Sequence, residues 1–563
     1  MKKRLFALAM SAALAVTSAF ALVGCGVGNA NDENTLEIQA YNRGYGVDGL
    51  KAVIENFKTK NPEITVILEE TTDNTTGKDI YNGPSAVSTD LYLHGGDNYF
   101  RLIRGGKVTI DGVEYDNYFE NLNEVYEYVP EGETKPIKEK MFPAYEQFYN
   151  MKDGEQFTED TYYAAPWMAS ICGLIYNSKM FERYGWDIPV TTDELAKVSD
   201  AIISTDAKST NKNSTGQDID IAAFSYCLQD SYWSYVYLQW WAQYDGILKY
   251  NNFFDGKDEN GVYTPAIGAS DGRKEMLKVF DQLLGTYKKE GSNIVKRSNV
   301  YCDPTLSTRS FIDTQATFLG AEASRINTNG ATTSAMMPNG DWLESEMYTN
   351  FGDMIERGEI AFKMLRTPVV SAIRNHPDCE GTIESDAELS ALIKAIDAGN
   401  TALTGEGYSV SQKAYDKIKE ARNMSYVNTG FTAYVPAFAT GKEAAKKFLK
   451  YLYSDEGLIA WTSATKGQSL PFTYDWNGIE GLSDFQKSKF NIIETSENFA
   501  ISSDKSALVN RGGLQSFYAY TPFESKFNVS SKNDYLDPET IFIENYNEIN
   551  RLWSNILTDA GIN

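Results

Sequence analysis

The spacing of apolar residues near the start of the chain predicts strands and helices in alternation. Residues Thr35–Ala40 alternate apolar and polar side chains as a strand does, residues 50–57 repeat apolar side chains at helical spacing, and Ile64–Leu68 is a second candidate strand. Strand, helix and strand in this order predict a parallel sheet with a right-handed crossover. Ligands of such sheets bind beyond the carboxyl ends of the strands, so the polar loop that contains Asn42 and Arg43 is a candidate binding loop.

A second α/β unit is predicted further along the chain. Ile171–Tyr176 is a β-branched and aromatic run that favours a buried strand. A short helix, Lys179–Tyr184, follows and is ended by Gly185. Thr191 and the acidic residues after it are typical of a helix start, because a hydroxyl caps the first turn and the helix dipole favours negative charge there. The segment therefore predicts a strand, a helix and a new helix in direct succession.

Short motifs in and after this unit resemble those of one family of binding proteins. In chain order the motifs are Pro166-Trp167, Tyr176-Asn177, Phe181–Gly185, Pro189–Leu195, Met336–Trp342, 443–459 and Gly467–Pro471. They are similar in type and order to those of the family 1 extracellular solute-binding proteins of ABC importers, the group that contains the maltose-binding proteins. Taken alone, residues 164–195 would also suit an ordinary α/β segment, but the resemblance covers most of residues 35–475.

The resemblance implies an α/β fold of the two-lobe, type II periplasmic-binding-protein class, with discontinuous lobes, a hinge and a ligand cleft between the lobes. We assign residues 35–166 and 271–367 to lobe 1, and residues 167–270 and 368–563 to lobe 2. A chain of 563 residues is also too long for one compact core, which independently favours two lobes. The implied function is capture of a carbohydrate, in our interpretation an oligosaccharide, and its delivery by hinge closure to the permease of an ABC importer.

Candidate ligand-binding residues follow from the same resemblance and from the loop positions. A sugar ring has a face of C–H bonds that stacks on an aromatic ring, while carboxylates bind its hydroxyls. The candidates are Asn42, Arg43, Asp97, Trp167, Asp230, Tyr232, Trp233, Asp341, Trp342, Phe517 and Tyr518. For Asp97 a plain Gly-Gly-Asp turn is an equal alternative, and Phe517 and Tyr518 would look the same as ordinary helix or core residues.

The N-terminal residues predict export and lipid attachment. A basic cluster precedes the apolar run 5–23, and Leu22–Cys25 has the form of a lipobox. We expect residues 1–24 to be a signal peptide and residues 25–34 to hold the lipidated Cys25 and a flexible tether. An uncleaved membrane helix is the competing interpretation, since the apolar run is nearly long enough to span a bilayer. The predicted location is the extracellular face of the cell membrane, with a lipid anchor on Cys25.

Charge and residue counts argue against several other classes of protein. The formal net charge of −25 repels nucleic acid and anionic lipid surfaces. The two histidines, His94 and His376, lie far apart in sequence, which argues against a histidine metal site. The cysteines beyond the lipobox are scattered, at Cys172, Cys227, Cys302 and Cys379. We expect free thiols at these four positions, no metal, no cofactor, no catalytic residues and a monomer.

Two alternative functions remain open at the level of sequence. The same fold could bind a non-sugar solute such as a polyamine or an iron complex, and the 36 tyrosines suit an iron site. A surface glycoside hydrolase would also carry carboxylates and aromatic rings in a cleft. With 77 acidic residues, a pair at catalytic separation arises by chance, so composition does not favour an enzyme. Loops that carry Trp167, Trp233 and Trp342 favour a sugar-binding protein.

Overall fold

The computed structural model describes residues 33–562, apart from 74–79, 81–87, 96–98, 153–155, 228–231, 305–308, 321–331, 429, 497, 502–505 and 518–522. Within these described ranges, no helix has both the length and the apolar character needed to cross a membrane. The predicted signal peptide, Cys25 and most of the tether lie outside the described residues, so the lipid anchor stays a prediction.

Strands and helices alternate along most of the described chain. The strands are β1 (Thr35–Tyr41), β2 (Thr65–Thr71), β3 (Leu91–Gly95), β4 (Val108–Ile110), β5 (Val113–Tyr115), β6 (Ala165–Pro166), β7 (Ser170–Asn177), β8 (Lys208–Lys212), β9 (Asp218–Phe224), β10 (Tyr287–Glu290), β11 (Asn293–Lys296), β12 (Thr332–Gly340), β13 (Phe362–Leu365), β14 (Thr404–Gly405), β15 (Tyr408–Ser409), β16 (Met424–Asn428), β17 (Phe431–Tyr434) and β18 (Asn498–Ile501). The α-helices are Asp48–Lys60, Tyr99–Arg104, Asn123–Tyr126, Ile137–Lys140, Pro143–Tyr149, Ser178–Tyr184, Thr192–Ser204, Ser234–Asp245, Ile247–Asp255, Asp271–Leu284, Phe311–Gly320, Leu343–Glu356, Asp386–Asp397, Gln412–Arg422, Lys442–Leu452, Asp455–Ala464, Asp484–Thr495, Ala507–Asn510, Glu524–Phe527 and Pro538–Ala560. Short 3-10 helices are Pro265–Ala269, Ser371–Asn375 and Leu514–Phe517.

One sheet is built on the N-terminal strands and has the order β2-β1-β3-β17-β6. β1 pairs in parallel with both β2 and β3, while β17 pairs antiparallel with β3. In β1 the side chains of Leu36, Ile38 and Ala40 are buried and those between them are only partly buried, as the two-residue period of a strand requires. The parallel βαβ unit predicted at the start of the chain is confirmed.

The other large sheet has the order β18-β16-β7-β12-β9-β8, and β13 also pairs with β7. β7 pairs antiparallel with β12 at one edge and with β13 and β16 at the other. Seven of the eight residues of β7 are buried, because helices or neighbouring strands cover it on every side. This confirms the buried strand predicted at Ile171–Tyr176 and places it at the centre of the sheet.

Two of the three helix caps after β7, at Gly185 and Thr191, are those that the sequence predicts. The Asn177 side chain accepts the backbone N–H of Met180 at 3.0 Å and so caps the first helix. Gly185 ends that helix with a φ of 65°, in the left-handed region that glycine adopts without steric cost. The Thr191 hydroxyl accepts the N–H of Glu194 at 3.1 Å and starts the next helix.

The predicted division into lobes is wrong for residues 271–367 and for part of 368–563. β12 lies within 271–367, yet it pairs with β7 and β9 in the second sheet. β17 lies within 368–563, yet it pairs with β3 and β6 in the first sheet, and the helices Lys442–Leu452 and Asp455–Ala464 pack on the same lobe. The physical reason is that long-range strand pairing decides lobe membership, and local sequence patterns do not encode it.

We therefore define the first lobe as residues 33–166 and 431–473, and the second lobe as residues 170–428 and 484–562. Residues 107–163 belong to the first lobe, where Met141 forms a bridge with Phe472 and Tyr126 donates a hydrogen bond to the Ala164 carbonyl at 2.8 Å. On the described residues, the chain crosses between lobes after β6, after β16 and again beyond residue 473.

Candidate ligand-binding site

At the hinge, the segments in which the chain passes from one lobe to the other are hydrogen-bonded to one another. The Trp167 N–H donates to the Phe431 carbonyl at 3.3 Å, and the Ala169 N–H donates to the Ser469 carbonyl at 3.0 Å. Each bond joins segments that flank different crossings. These crossing segments therefore lie side by side, and side chains next to them can contact both lobes.

Five aromatic side chains meet above this hinge and form what we call the aromatic cluster: Tyr45, Tyr232, Tyr235, Trp342 and Phe431. Tyr232 and Tyr235 stack with centroids 5.5 Å apart, and both present a T-shaped contact to Trp342 at 5.7 and 5.9 Å. Tyr45 makes T-shaped contacts with Trp342 at 6.0 Å and with Phe431 at 5.4 Å. Tyr45 and Phe431 come from the first lobe and the other three from the second, so the cluster joins the lobes.

Local sequence explains how two parts of the cluster form. Trp342 follows the end of β12, and its indole folds back over Gly340, where an added Cβ would lie only 2.0 Å from the ring. Only glycine at 340 leaves room for that ring position. Tyr232 precedes the helix Ser234–Asp245 and Tyr235 is its second residue; the Tyr235 N–H donates to the Tyr232 carbonyl at 3.1 Å, and this turn brings the two rings together.

Part of the aromatic cluster is open to solvent. Tyr232, Tyr235 and Phe431 are partly exposed, whereas Trp342 is 9 % exposed and Tyr45 is 6 % exposed. Tyrosine combines an apolar ring face with a hydroxyl, so the exposed portion offers both stacking surface and hydrogen-bonding groups. This combination suits a ligand that has apolar faces and many hydroxyls.

A buried polar group lies beneath the cluster. The Tyr45 hydroxyl donates to Asp341 Oδ1 at 2.6 Å and lies 2.7 Å from Ser170 Oγ. Lys489 Nζ lies 3.6 Å from Asp341 Oδ2, and both side chains are at most 1 % exposed. Burial raises the pKa of Asp341, and the Lys489 charge opposes that rise. Burial also raises the pKa of Tyr45 well above its usual value, with the Asp341 charge acting in the same direction.

Comparison with known proteins gives a match of fold without a match of sequence. No family model matches this chain, and no curated protein matches it in sequence. The apo form of RafE from Streptococcus pneumoniae covers 93 % of this chain and 97 % of its own, with 13 % identity and a TM-score of 0.51. A family 1 extracellular solute-binding protein from Bifidobacterium longum subsp. infantis covers 92 % of this chain and 98 % of its own, with 14 % identity and a TM-score of 0.50. The fold is that of the family 1 extracellular solute-binding proteins.

Other structures with the solute-binding fold are described together with their ligands. RafE has been determined in complex with raffinose, and that structure covers 92 % of this chain at 14 % identity and a TM-score of 0.50. A chitin oligosaccharide binding protein covers 92 % of this chain and 99 % of its own, at 13 % identity and a TM-score of 0.50. The resemblance predicted from the sequence motifs is thus confirmed for the fold.

Within this solute-binding fold, three of the predicted site residues lie in or directly beneath the aromatic cluster. Tyr232 and Trp342 are members of it, and Asp341 is below it. Asp341 is a correction to the prediction, because it is 1 % exposed and engaged by Tyr45 and Lys489, so it supports the site without facing a ligand.

Asn42 and Arg43 share a loop with Tyr45, but neither side chain joins the aromatic cluster. Asn42 donates to Glu70 Oε2 at 2.6 Å, on β2 at the edge of the first sheet. Arg43 is exposed. The loop lies where the parallel-sheet argument predicts, and Tyr45 is the residue that it contributes to the cluster.

Trp167 and Trp233 are corrected from predicted stacking platforms to core residues. Trp167 is 1 % exposed and donates from Nε1 to the His94 carbonyl at 2.8 Å. Trp233 is fully buried and makes T-shaped contacts with Phe224 and Phe280. Protein surrounds both indoles, so neither offers a free face to a ligand in this structure.

Phe517 is likewise corrected to a packing residue. It is 8 % exposed in the 3-10 helix Leu514–Phe517, which packs on the long helix Pro538–Ala560. Its carbonyl accepts a hydrogen bond from the buried Arg273 at 3.0 Å. The remaining predicted residues, Asp97, Asp230, Tyr518 and Cys25, lie outside the described residues.

Four members of the site were not among the predicted residues: Tyr45, Tyr235, Phe431 and Lys489. Tyr45 and Tyr235 could have been found, because the first lies in the predicted binding loop and the second follows Tyr232 at helical spacing. Lys489 gives no such signal, since a lysine within a helix is ordinarily solvated. Its role depends on a long-range contact with Asp341.

The four scattered cysteines that the structure describes carry no disulfide and are all buried. They are Cys172, Cys227, Cys302 and Cys379. Burial raises the pKa of Cys302 to about 12 and of Cys379 to about 11, which disfavours the reactive thiolate. These residues therefore act as small apolar side chains of the core.

Proposed function

We propose that this protein captures a carbohydrate in the cleft between its lobes and delivers it to an ABC importer. The observation that carries the proposal is the aromatic cluster, which takes side chains from both lobes and keeps Tyr232, Tyr235 and Phe431 partly exposed. A sugar stacked on these rings would contact both lobes at once. A ligand that bridges the lobes stabilises the closed form over the open one, and this is the basis of hinge closure.

The neighbouring folds support a carbohydrate as ligand. RafE is described with raffinose, and another neighbour is described as binding chitin oligosaccharide. These neighbours are binding proteins, which fits a protein that is not an enzyme. An oligosaccharide is our preferred ligand, because a cluster of several rings offers more than one stacking position.

Export and lipid anchoring complete the proposal, and the N-terminal sequence supports them. Cys25 would carry the lipid that holds the protein at the extracellular face of the membrane, within reach of the importer's permease. In the native host, Cys25→Ser should release the protein from the membrane fraction into the medium. Cys172→Ser is the matched control, since Cys172 is a buried core thiol, and it should remain membrane-bound. Membrane retention of Cys25→Ser, together with an unmodified Cys25 in the wild-type protein as shown by mass spectrometry of its N-terminal peptide, would overturn the anchor.

Carbohydrate binding itself is tested by a thermal-shift screen. The panel is raffinose, maltotriose, chitotriose and xylotriose, with spermidine and ferric citrate as non-sugar solutes. A ligand that binds only the native state raises the melting temperature in proportion to its saturation, so at least one sugar should raise it. A shift with spermidine or ferric citrate alone would favour the non-sugar alternative. Continued release of shorter sugars from a bound oligosaccharide would identify a hydrolase instead.

A further inference from the structure

The Tyr45 hydroxyl makes a hydrogen bond that spans the two lobes. Tyr45 lies in the loop after β1, in the first lobe, whereas Asp341 and Ser170 belong to the second lobe. A hydroxyl carries one proton, so Tyr45 donates to Asp341 at 2.6 Å and accepts from Ser170 at 2.7 Å. All three side chains are buried, at 6 %, 1 % and 0 % exposure respectively. The contact is therefore shielded from water.

Lys489, in the second lobe, links this bond back to the first lobe. Lys489 lies on the helix Asp484–Thr495 and is fully buried, with Nζ 3.6 Å from Asp341 Oδ2. The same ammonium donates to the Gly467 carbonyl and lies 3.4 Å from Ser469 Oγ. Tyr45, Asp341 and Lys489 thus form a chain of polar contacts that runs from the first lobe into the second lobe and back to residues 467–469 of the first lobe.

A second contact holds the same loop from the other side. The Gln468 side-chain amide donates to the Tyr45 carbonyl at 3.0 Å and to Ser345 Oγ. Ser345 lies in the helix Leu343–Glu356 of the second lobe. The loop is therefore bound at the Tyr45 side chain by the second lobe and at the Tyr45 backbone by Gln468 of the first lobe, and Gln468 itself donates across to Ser345 of the second lobe.

We propose that Tyr45, Asp341 and Lys489 form an interlobe latch that opposes opening of the cleft. Rotation of one lobe away from the other separates the Tyr45 hydroxyl from Asp341 and exposes the Asp341–Lys489 pair to water. Buried hydrogen bonds to a charged acceptor are among the stronger single contacts in proteins, so the latch favours the closed arrangement. Its role in ligand retention rests on the proposed function, because a closed cleft slows ligand release only if the cleft holds a ligand.

The test is amide hydrogen exchange of the full chain without ligand, on wild type and Tyr45→Phe. The phenylalanine keeps the ring and removes only the oxygen that bonds Asp341 and Ser170. Loss of the latch should speed exchange about tenfold in peptides that cover residues 42–47 and 341–345, because opening becomes more frequent. Peptides from the centre of β7 should be unchanged. Equal exchange in both proteins would overturn the latch.

Two further variants separate the latch from general destabilisation. Tyr453→Phe removes another buried tyrosine hydroxyl, one that donates to the Pro166 carbonyl at 2.8 Å within the first lobe. It should leave exchange at 42–47 and 341–345 at the wild-type rate. In an Asp341→Asn background, Tyr45→Phe should add much less than it does in wild type, because the charged acceptor is already gone. If the effects of the two substitutions on exchange were fully additive, the assignment of Tyr45 and Asp341 to one latch would be contradicted.

Ligand kinetics then test the part that rests on the proposed function. If a panel sugar binds, its dissociation rate measured by stopped flow should rise about tenfold in Tyr45→Phe and stay unchanged in Tyr453→Phe. If none binds, the proposed function fails, while the ligand-free exchange experiment still supports or overturns the latch. Faster exchange together with an unchanged dissociation rate would overturn the role of the latch in retention.

Discussion

At the scale of single residues, the site depends on a glycine as much as on its aromatic rings. Trp342 takes its place in the aromatic cluster only because Gly340 has no side chain. The Met336–Trp342 motif, whose pattern is Met-x-x-x-Gly-x-Trp, therefore has a steric reason at its glycine. The indole occupies the volume that a Cβ at 340 would need.

We predict that Gly340→Ala destabilises the protein and displaces Trp342. A Cβ would lie 2.0 Å from the indole, far inside van der Waals contact. Overpacking of this kind costs about 1–3 kcal/mol in unfolding free energy, which guanidinium denaturation measures. Gly478→Ala is the control, since an added Cβ there meets no atom within 4 Å. Equal stability of the two variants would contradict this account of the motif.

A second residue-scale prediction concerns pH and Asp281. Burial raises the pKa of Asp281 to about 6, although Arg297 at 2.8 Å and the Tyr535 hydroxyl at 3.0 Å favour its charged form. The folded protein thus binds this proton more tightly than the unfolded chain, whose ordinary pKa is 3.8. The stabilisation is present below pH 4 and is lost as the pH rises to about 6. The difference corresponds to about 3 kcal/mol.

Urea denaturation of wild type and Asp281→Asn between pH 4 and 7 measures this effect. The stability of wild type should fall with rising pH more steeply than that of the variant, and the two slopes should become equal above pH 6.5. Parallel curves across the whole range would show that Asp281 does not titrate in this window.

At the scale of elements, the sequence predicts local structure well and lobe membership poorly. The strand at β7 and the caps at Asn177, Gly185 and Thr191 follow from nearby residues, so they could be predicted. The place of β12 could not, because its pairing with β7 joins segments far apart in sequence. Trp233 shows the same limit for the site, since a tryptophan before a helix suits a platform and a core residue equally.

A test at the element scale is Thr191→Val, which keeps the shape of the side chain and removes its hydroxyl. That hydroxyl accepts the Glu194 N–H at 3.1 Å and donates to Asp386 Oδ2 at 2.9 Å, so it joins the starts of two helices. Loss of the cap should lower the unfolding free energy by about 1–2 kcal/mol in chemical denaturation. Thr59→Val, at an exposed helix position, should change it by less than about 0.5 kcal/mol. An unchanged unfolding free energy in Thr191→Val would show that the cap contributes little to stability.

At the scale of the whole molecule, the hinge region carries both the proposed binding surface and the proposed latch. The aromatic cluster takes rings from both lobes, and the polar chain beneath it reaches from Tyr45 to Lys489. Ligand capture and lobe closure would therefore be governed by the same few residues. The coupling is direct, because Tyr45 belongs to the cluster through its ring and to the latch through its hydroxyl.

The most direct test of carbohydrate binding at this site is calorimetric titration of wild type, Trp342→Ala and Tyr128→Ala with the panel sugar that gives the largest thermal shift. Tyr128 is the control, because it is a 40 % exposed aromatic on the first lobe outside the cluster. We predict that Trp342→Ala weakens binding by about 1–3 kcal/mol and that Tyr128→Ala binds like wild type. Absence of binding to every sugar, or equal affinity of wild type and Trp342→Ala, would contradict the account.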